Sequence, residues 1–327
     1  MSAAARSAAT ASVHTIDAAL PFADALAAGV LARHGDAPER LADIRILLPT
    51  RRAARSLREA FLRQSGGRAP HLGRPAPVGD GHEGELLFPA APAPALDTEI
   101  PPAIDGLERL ALLSRLVLAR AQRQGAEDWG VSTPAQAAAL AGELARLLDS
   151  LQIEDVSIDR LQGLVPDRYA DHWRLTLDFL KILSQNWPDI LRDRGAIDPA
   201  ERRNRLLRRQ ARQWRENPPG FPVIAAGSTG SIPATRELLA TIAGLPQGAV
   251  VLPGLDRRLS DAQWAALDQP HPQYGLRELL AALGIDRAQV ADWPAPGVAG
   301  GSPARVAMWS QALQPPLEGI AADPAPG

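Results

Sequence analysis

Apolar strands joined through tight turns to helices constrain this chain more than any other feature. Val223-Ile-Ala-Ala226 runs into the small-residue turn Gly227-Ser-Thr-Gly-Ser231 and then a helix through Leu238, Leu239 and Ile242. A second apolar strand, Ala249-Val-Val-Leu252, follows and stops at Pro253-Gly-Leu-Asp256. Strands without polar alternation, linked by a helix, belong to parallel sheets covered by helices. The same grammar occurs earlier. Residues 44–48 read as a short buried strand ended by Pro49, Thr50 is placed to cap, and 51–63 carry Ala54, Leu57, Phe61 and Leu62 on one helical face. Residues 22–33 read as another helix.

Helices separate these two α/β stretches. Asp105 with Glu108 three residues later is an N-terminal capping signature before Leu107, Leu110, Leu113 and Val117. Thr133-Pro134 starts a second helix with Leu140, Leu144, Leu147, Leu148 and Leu151 on a stripe. A third runs over 169–187, where Pro188 kinks or ends it. A fourth starts at Asp198-Pro199. The expected class is therefore an α/β parallel sheet with a large helical insertion. Its expected divisions are a disordered N-terminus (1–15), a first α/β part (16–103) with a Pro/Gly-rich acidic loop (66–103), the insertion (104–217), a second α/β part (218–292), and a linker tail (293–327).

Composition removes several chemistries. With 0 cysteines, disulfides, thiolate zinc sites, iron–sulfur clusters and cysteine nucleophiles are excluded. Lys181 is the single lysine among 35 basic residues, and no glycine loop precedes it, so no lysine serves a phosphate-cradling P-loop. A net charge of -2 gives no global signature of nucleic-acid or membrane binding. The start lacks the apolar stretch of a secretory signal and no uninterrupted apolar run approaches membrane-spanning length, so a cytoplasmic chain without membrane contact is expected.

Four features bear on chemistry. Between Asp80 and Glu108 lie seven acids and no Lys or Arg, which reads as a solvated loop or as a metal site at Asp80, His82, Glu83 and Glu85. The helix after Pro199 carries Arg202, Arg203, Arg205, Arg208, Arg209, Arg212 and Arg215, with Leu207, Ala211 and Trp214 as its buried stripe. Its arginines are expected to point away from the core, towards solvent, a partner protein or nucleic-acid phosphates. Gly227, Ser228, Thr229, Gly230 and Ser231 form a turn able to face an anion, or simply a tight strand-to-helix turn; the order is not that of a serine nucleophile elbow. The histidines at 14, 34, 71, 82, 172 and 271 show no metal spacing.

Ile46-Leu-Leu-Pro-Thr-Arg-Arg-Ala-Ala-Arg55, Ala225-Ala-Gly-Ser-Thr-Gly-Ser-Ile-Pro-Ala-Thr235 and Gly248-Ala-Val-Val-Leu-Pro-Gly-Leu-Asp256 together resemble the AddB family in its alphaproteobacterial form. Asp171-His-Trp-Arg174, Trp187-Pro188, Ile197-Asp-Pro199 and His271-Pro-Gln-Tyr274 extend the resemblance over about residues 22–293. It implies a subunit of the AddAB helicase–nuclease, which works with AddA on DNA ends in double-strand break repair by recombination. It further implies a superfamily 1 helicase-like, P-loop NTPase-like N-terminal part whose motor has decayed. The family's C-terminal nuclease half, with a cysteine-ligated iron–sulfur cluster, has no counterpart in this sequence, so no cofactor is expected here. Asp17-Ala-Ala-Leu-Pro-Phe22 stands where a working motor has its phosphate loop, and Gly227 to Ser231 where metal-holding acids follow a later strand. The turn at Thr50, Arg51 and Arg52 matches the helicase segment that touches single-strand phosphates. These three are the candidate DNA contacts, with helix capping and solvated arginines as the structural alternative.

Overall fold

The computed structural model describes residues 12–35, 41–67, 76–77, 100–124, 131, 133–158, 160 and 182–316. The chain divides into two units, one formed by residues 1–88 with 208–327 and the other by 89–207.

The first unit is a six-stranded sheet flanked by helices. Its elements are β1 (Val13–Ile16), α1 (Phe22–His34), β2 (Arg45–Leu48), α2 (Arg51–Gln64) and the two-residue β3 (Ala76–Pro77), resumed by β4 (Val223–Ala226), α7 (Pro233–Ala243), β5 (Gly248–Pro253), α8 (Asp261–Ala265), α9 (Tyr274–Leu283), β6 (Ala291–Asp292) and α10 (Pro303–Ala312). The strand order is β3-β2-β4-β5-β1-β6, and every pairing is parallel. The expected α/β parallel sheet is thus present. All of β4 and nearly all of β5 are buried, as strands covered on both faces must be.

Two expected boundaries need correction. β1 begins at residue 13, inside the segment expected to be disordered (1–15), and pairs with both β5 and β6. Its signal is only four residues long and follows an Ala/Ser run, too short for a periodicity to register. Its buried Thr15 is satisfied on both counts: the hydroxyl donates to Leu252 O at 3.3 Å and accepts from Leu255 N–H at 3.0 Å. The tail over residues 293–316 is equally integral. Trp293 is 3% exposed, and its N–H donates to Thr15 O at 2.8 Å. Gly301 N–H donates to Ala19 O at 2.6 Å, and α10 follows with Pro303 in its first turn, where a missing N–H costs nothing. The abundant Gly, Pro and Ala of this region disguised a segment that docks rather than links.

One core lies where α1 and α2 cover the sheet, with Leu26, Val30, Ile46, Leu57, Phe61, Val251 and Trp293 among its members. Glycine at position 29 is dictated by Trp293, because a methyl there would stand 2.0 Å from the indole Nε1 and 2.3 Å from Pro294 O. Leu62, expected on the buried face, is 45% exposed; Ala60 is the inward residue beside Phe61.

The second unit contains α3 (Gly106–Gln124), α4 (Pro134–Ile153), α5 (Trp187–Asp193) and the start of α6 (Pro199–Glu216). Asp105 caps α3 as expected, its Oδ1 accepting from Leu107 N–H at 2.9 Å and Glu108 N–H at 3.1 Å. Thr133 and Gln136 form a full capping box on α4. The core gathers Leu113, Val117, Ala141, Leu144, Leu183 and Trp187, whereas Leu107 is exposed. Of the two outcomes expected at Pro188, a kink or an end, the end does not occur, because helical backbone lies on both sides of it. A π-helical turn, Ile182–Asn186, precedes it, and the proline sits in the first turn of α5, where no i−4 partner is required. Residues 169–181 of the expected third helix, Lys181 included, lie outside the described residues, as do Asp80, Glu83, Glu85 and histidines 71, 82 and 172. The unit boundary at 207 rather than 217 falls within α6. The last turns of α6 belong to the sheet unit, where Arg208 and Arg215 pair with Glu237 of α7 at 3.7 and 2.5 Å. Among the described residues no helix is long and apolar enough to cross a membrane.

Candidate functional site

In a parallel sheet the loops leaving the strands' carboxyl ends gather on one edge, and ligands bind there. That edge carries the segments after β1 (Asp17 to Pro21), β2 (Pro49, Thr50), β4 (Gly227 to Ser231) and β5 (Gly254 to Asp256). Two of the sequence-predicted sites meet there: a methyl at Gly227 would sit 3.2 Å from the Phe22 ring and 3.6 Å from Pro49 Cδ.

Thr50 is extended and caps α2, its Oγ1 accepting from Ala53 N–H at 3.1 Å. Capping therefore occupies this hydroxyl. Arg51 and Arg52 follow in the first turn, both exposed, and no acid stands in that turn. The helix N-terminus adds its own partial positive charge to theirs. Arg55, the next basic residue, has a side chain 83% exposed and sits 3.8 Å from Glu59. The start of α2 is thus a cationic corner.

The start of α1 lacks that excess of positive charge. Its preceding turn, Asp17 to Pro21, contains neither glycine nor lysine; Asp17 Oδ1 accepts from Ala19 N–H at 2.7 Å and Leu20 N–H donates to Asp17 O at 3.0 Å. Asp24 then stands in the first helical turn, gripped by Arg63 of α2 through Nε at 2.9 Å and a terminal nitrogen at 3.0 Å. The Arg63 hydrogen bond, helped by Gln64, holds the Asp24 carboxyl below its ordinary range, and the carboxylate in turn raises Arg63. With its charge matched by Arg63, Asp24 leaves no surplus positive charge at that helix N-terminus for a phosphate.

The Gly227–Ser231 turn is explained by packing. Gly227 and Gly230 have φ of 77° and 66°, which favours glycine, and Gly230 abuts Leu279 while Thr229 abuts Gly275, both on α9. Ser228 Oγ accepts from Gly230 N–H at 3.3 Å. Arg236 reaches back from α7 to donate to Gly230 O at 2.9 Å and Ser231 O at 3.2 Å. Ser231 does not cap the helix; the N-cap is Ile232, without a side-chain bond, and Pro233 begins α7.

On α6, Leu207, Ala211 and Trp214 are buried as expected, but the arginines do not all point outward. Arg202 is 5% exposed and donates through Nε to Pro101 O at 2.8 Å; Arg203 is half-buried, and burial lowers its pKa against the raising effect of Asp149. The reason lies in a buried cluster that spacing does not announce. Asp198, read as a helix-start residue, is 1% exposed; its Oδ2 accepts from Trp187 Nε1 at 2.9 Å and Gln152 Nε2 at 3.0 Å, and its Oδ1 pairs with Arg109 Nε at 2.8 Å. Arg109 also pairs with Asp149 at 2.9 Å, tying α3, α4, α5 and the start of α6 together. Only the Asp-Pro signature marked this position, and it names a cap, not a hub.

Among the described residues no group of three or more His, Asp or Glu side chains is arranged to hold a metal ion. Neither known protein-family models nor curated proteins give a match to this chain.

Proposed function

We propose that this chain is the helicase-like, motor-inactive N-terminal portion of an AddB-type subunit, binding DNA at broken duplex ends beside an AddA-type partner. The observation that carries the reading is the start of α2: two exposed arginines in an acid-free first helical turn, at the carboxyl edge of a parallel sheet. Such a corner suits backbone phosphates, which position a protein on DNA without specifying sequence. The first unit supplies the α/β parallel sheet that a P-loop NTPase-like domain requires. The decay of the motor is supported by the turn after β1, which offers no glycine or lysine to a phosphate and sets Asp24 behind it. In this reading the segment contributes scaffold and DNA contact, while turnover of ATP and strand cleavage reside elsewhere in the assembly.

The test is fluorescence anisotropy on labelled DNA ends, blunt and single-stranded, across a salt series. Replacing Arg51 and Arg52 together by Ala is expected to weaken binding equally on unrelated sequences and to flatten the salt slope by about 1.4 on single strands and about 1.8 on duplex, the yield of two phosphate contacts. Both side chains are exposed, so the melting temperature should stay where it was. Unchanged affinity and slope would reduce this corner to a capped helix start.

A further inference from the structure

The positive charge of α2 runs further than the corner at its start. Ala54, Leu57, Ala60 and Phe61 are buried on one side of the helix, and Arg51, Arg52, Arg55 and Arg58 stand exposed on the other. With about 100° between successive residues, Arg51, Arg55 and Arg58 lie within about 60° of one another around the axis. They form one row. From Arg51 it advances about 6 Å to Arg55 and about 10.5 Å to Arg58, so the helix backbone fixes the spacing.

The charge of this face is unmatched. The single acid of α2, Glu59, lies 3.8 Å from Arg55, and both side chains are mostly exposed. Arg52 and Arg58 have no ion-pair partner among the described residues. Arginine abundance does not account for this. The helix α6 has more arginines, yet Arg205 faces Glu201, and Arg208 and Arg215 share Glu237. At the far end of α2, Arg63 is held by Asp24. The surplus is therefore confined to residues 51–58. The one aromatic residue of α2, Phe61, is buried, so the row can meet backbone phosphates but offers no ring on which a base could stack.

We propose that the outer face of α2 is a track for one nucleic-acid strand, with Arg55 and Arg58 taking phosphates beyond those at Arg51 and Arg52 and Glu59 limiting the track. The inference rests on the reading of Arg51 and Arg52 as DNA contacts and adds the length of backbone engaged. Guanidinium groups spaced along a rod suit the repeated charges of a phosphate chain. Glu59 acts by competition, because its carboxylate attracts Arg55 and repels a phosphate that approaches it. The phosphates can belong to an unwound strand or to the near strand of a duplex.

Anisotropy of the full chain on labelled oligothymidylate and on blunt duplex, across a salt series, tests the track. Replacing Arg55 and Arg58 together by Ala is expected to weaken binding about tenfold and to flatten the salt slope by about 1.4 on the single strand, or about 1.8 on duplex. A loss on the single strand alone would identify an unwound strand as the ligand, and a loss on both probes a strand in either form. Both arginines are exposed and the Arg55–Glu59 pair is loose, so the melting temperature should hold. Glu59→Gln is expected to tighten binding about threefold, a gain that damage to the fold would not produce. If the Arg51 and Arg52 pair matters and the Arg55 and Arg58 pair does not, the track is overturned while the corner stands. If neither pair matters, the corner reading falls and takes the track with it. Displacement of DNA by polyglutamate at equal charge would overturn the assignment to phosphates in favour of an acidic protein.

Discussion

His14, second residue of β1, meets the Trp293 ring edge-on at 5.3 Å, and its Nε2 lies 3.2 Å from the Arg33 guanidinium, which itself stacks 4.1 Å over the Trp293 ring. Burial, and then the charge of Arg33, hold its pKa below the ordinary value of 6.5. The unfolded chain therefore binds the proton more tightly than the native one. The resulting contribution to stability is complete above pH 6.5 and declines as pH falls from there towards the depressed native value. Urea unfolding at pH 8 and pH 5.5 should show lower stability at the acid pH, and His14→Phe should narrow the gap; an equal gap in the variant would clear this residue of the effect. None of this was legible at residue level. A lone histidine without metal spacing carries no signal, and Trp293 sat at the margin of an expected linker. Thr50 was legible because capping is local: a hydroxyl beside an incipient helix finds the N–H three residues on. Asp198 was half legible, its sequence naming a helix start while its carboxylate answers to partners 46 and 11 residues away.

Elements with strong periodicity or explicit caps emerged where sequence reading put them, as α1, α2, α3, α4 and α6 show. Of those that escaped, the strands were short, β1 with four residues and β3 and β6 with two each, but the ten-residue helices α9 and α10 escaped as well. A two-residue strand exists only because its neighbour offers a free edge, so its cause lies in the partner. The joints between helices of the second unit depend similarly on Asp198. Asp198→Ala would leave Arg109 buried with half its partners and strip Trp187 of its acceptor, at a cost of about 3–5 kcal/mol. Denaturant unfolding followed through indole fluorescence should show a transition displaced to markedly lower urea. A midpoint within error of the parent would mean that the cluster contributes nothing to holding the unit.

For the whole molecule, the α/β class followed from two strand–turn–helix units, but the distribution of charge along the sheet's carboxyl edge did not. That edge is positive at α2 and balanced at α1, where Asp24 is paired with Arg63, a contrast set by which helix received an acid in its first turn. One expectation follows for nucleotides. ATP with magnesium should not raise the melting temperature, since stabilisation requires a ligand that prefers the native state, and the turn after β1 presents no phosphate clamp. A rise of several degrees at millimolar ATP, or any DNA-stimulated hydrolysis by the purified chain, would contradict the proposal of a decayed motor.

The position of β1 also sets a timetable. Thr15 is bonded to Leu252, 237 residues further along, and β1 lies between β5 and β6, both made late. At ordinary rates of synthesis that separation amounts to on the order of ten to fifty seconds. Through that interval β1 has neither of its neighbours, and its Val13 and Ile16 faces are open to any other exposed edge. The sheet is therefore completed only when β5 and β6 have both been made.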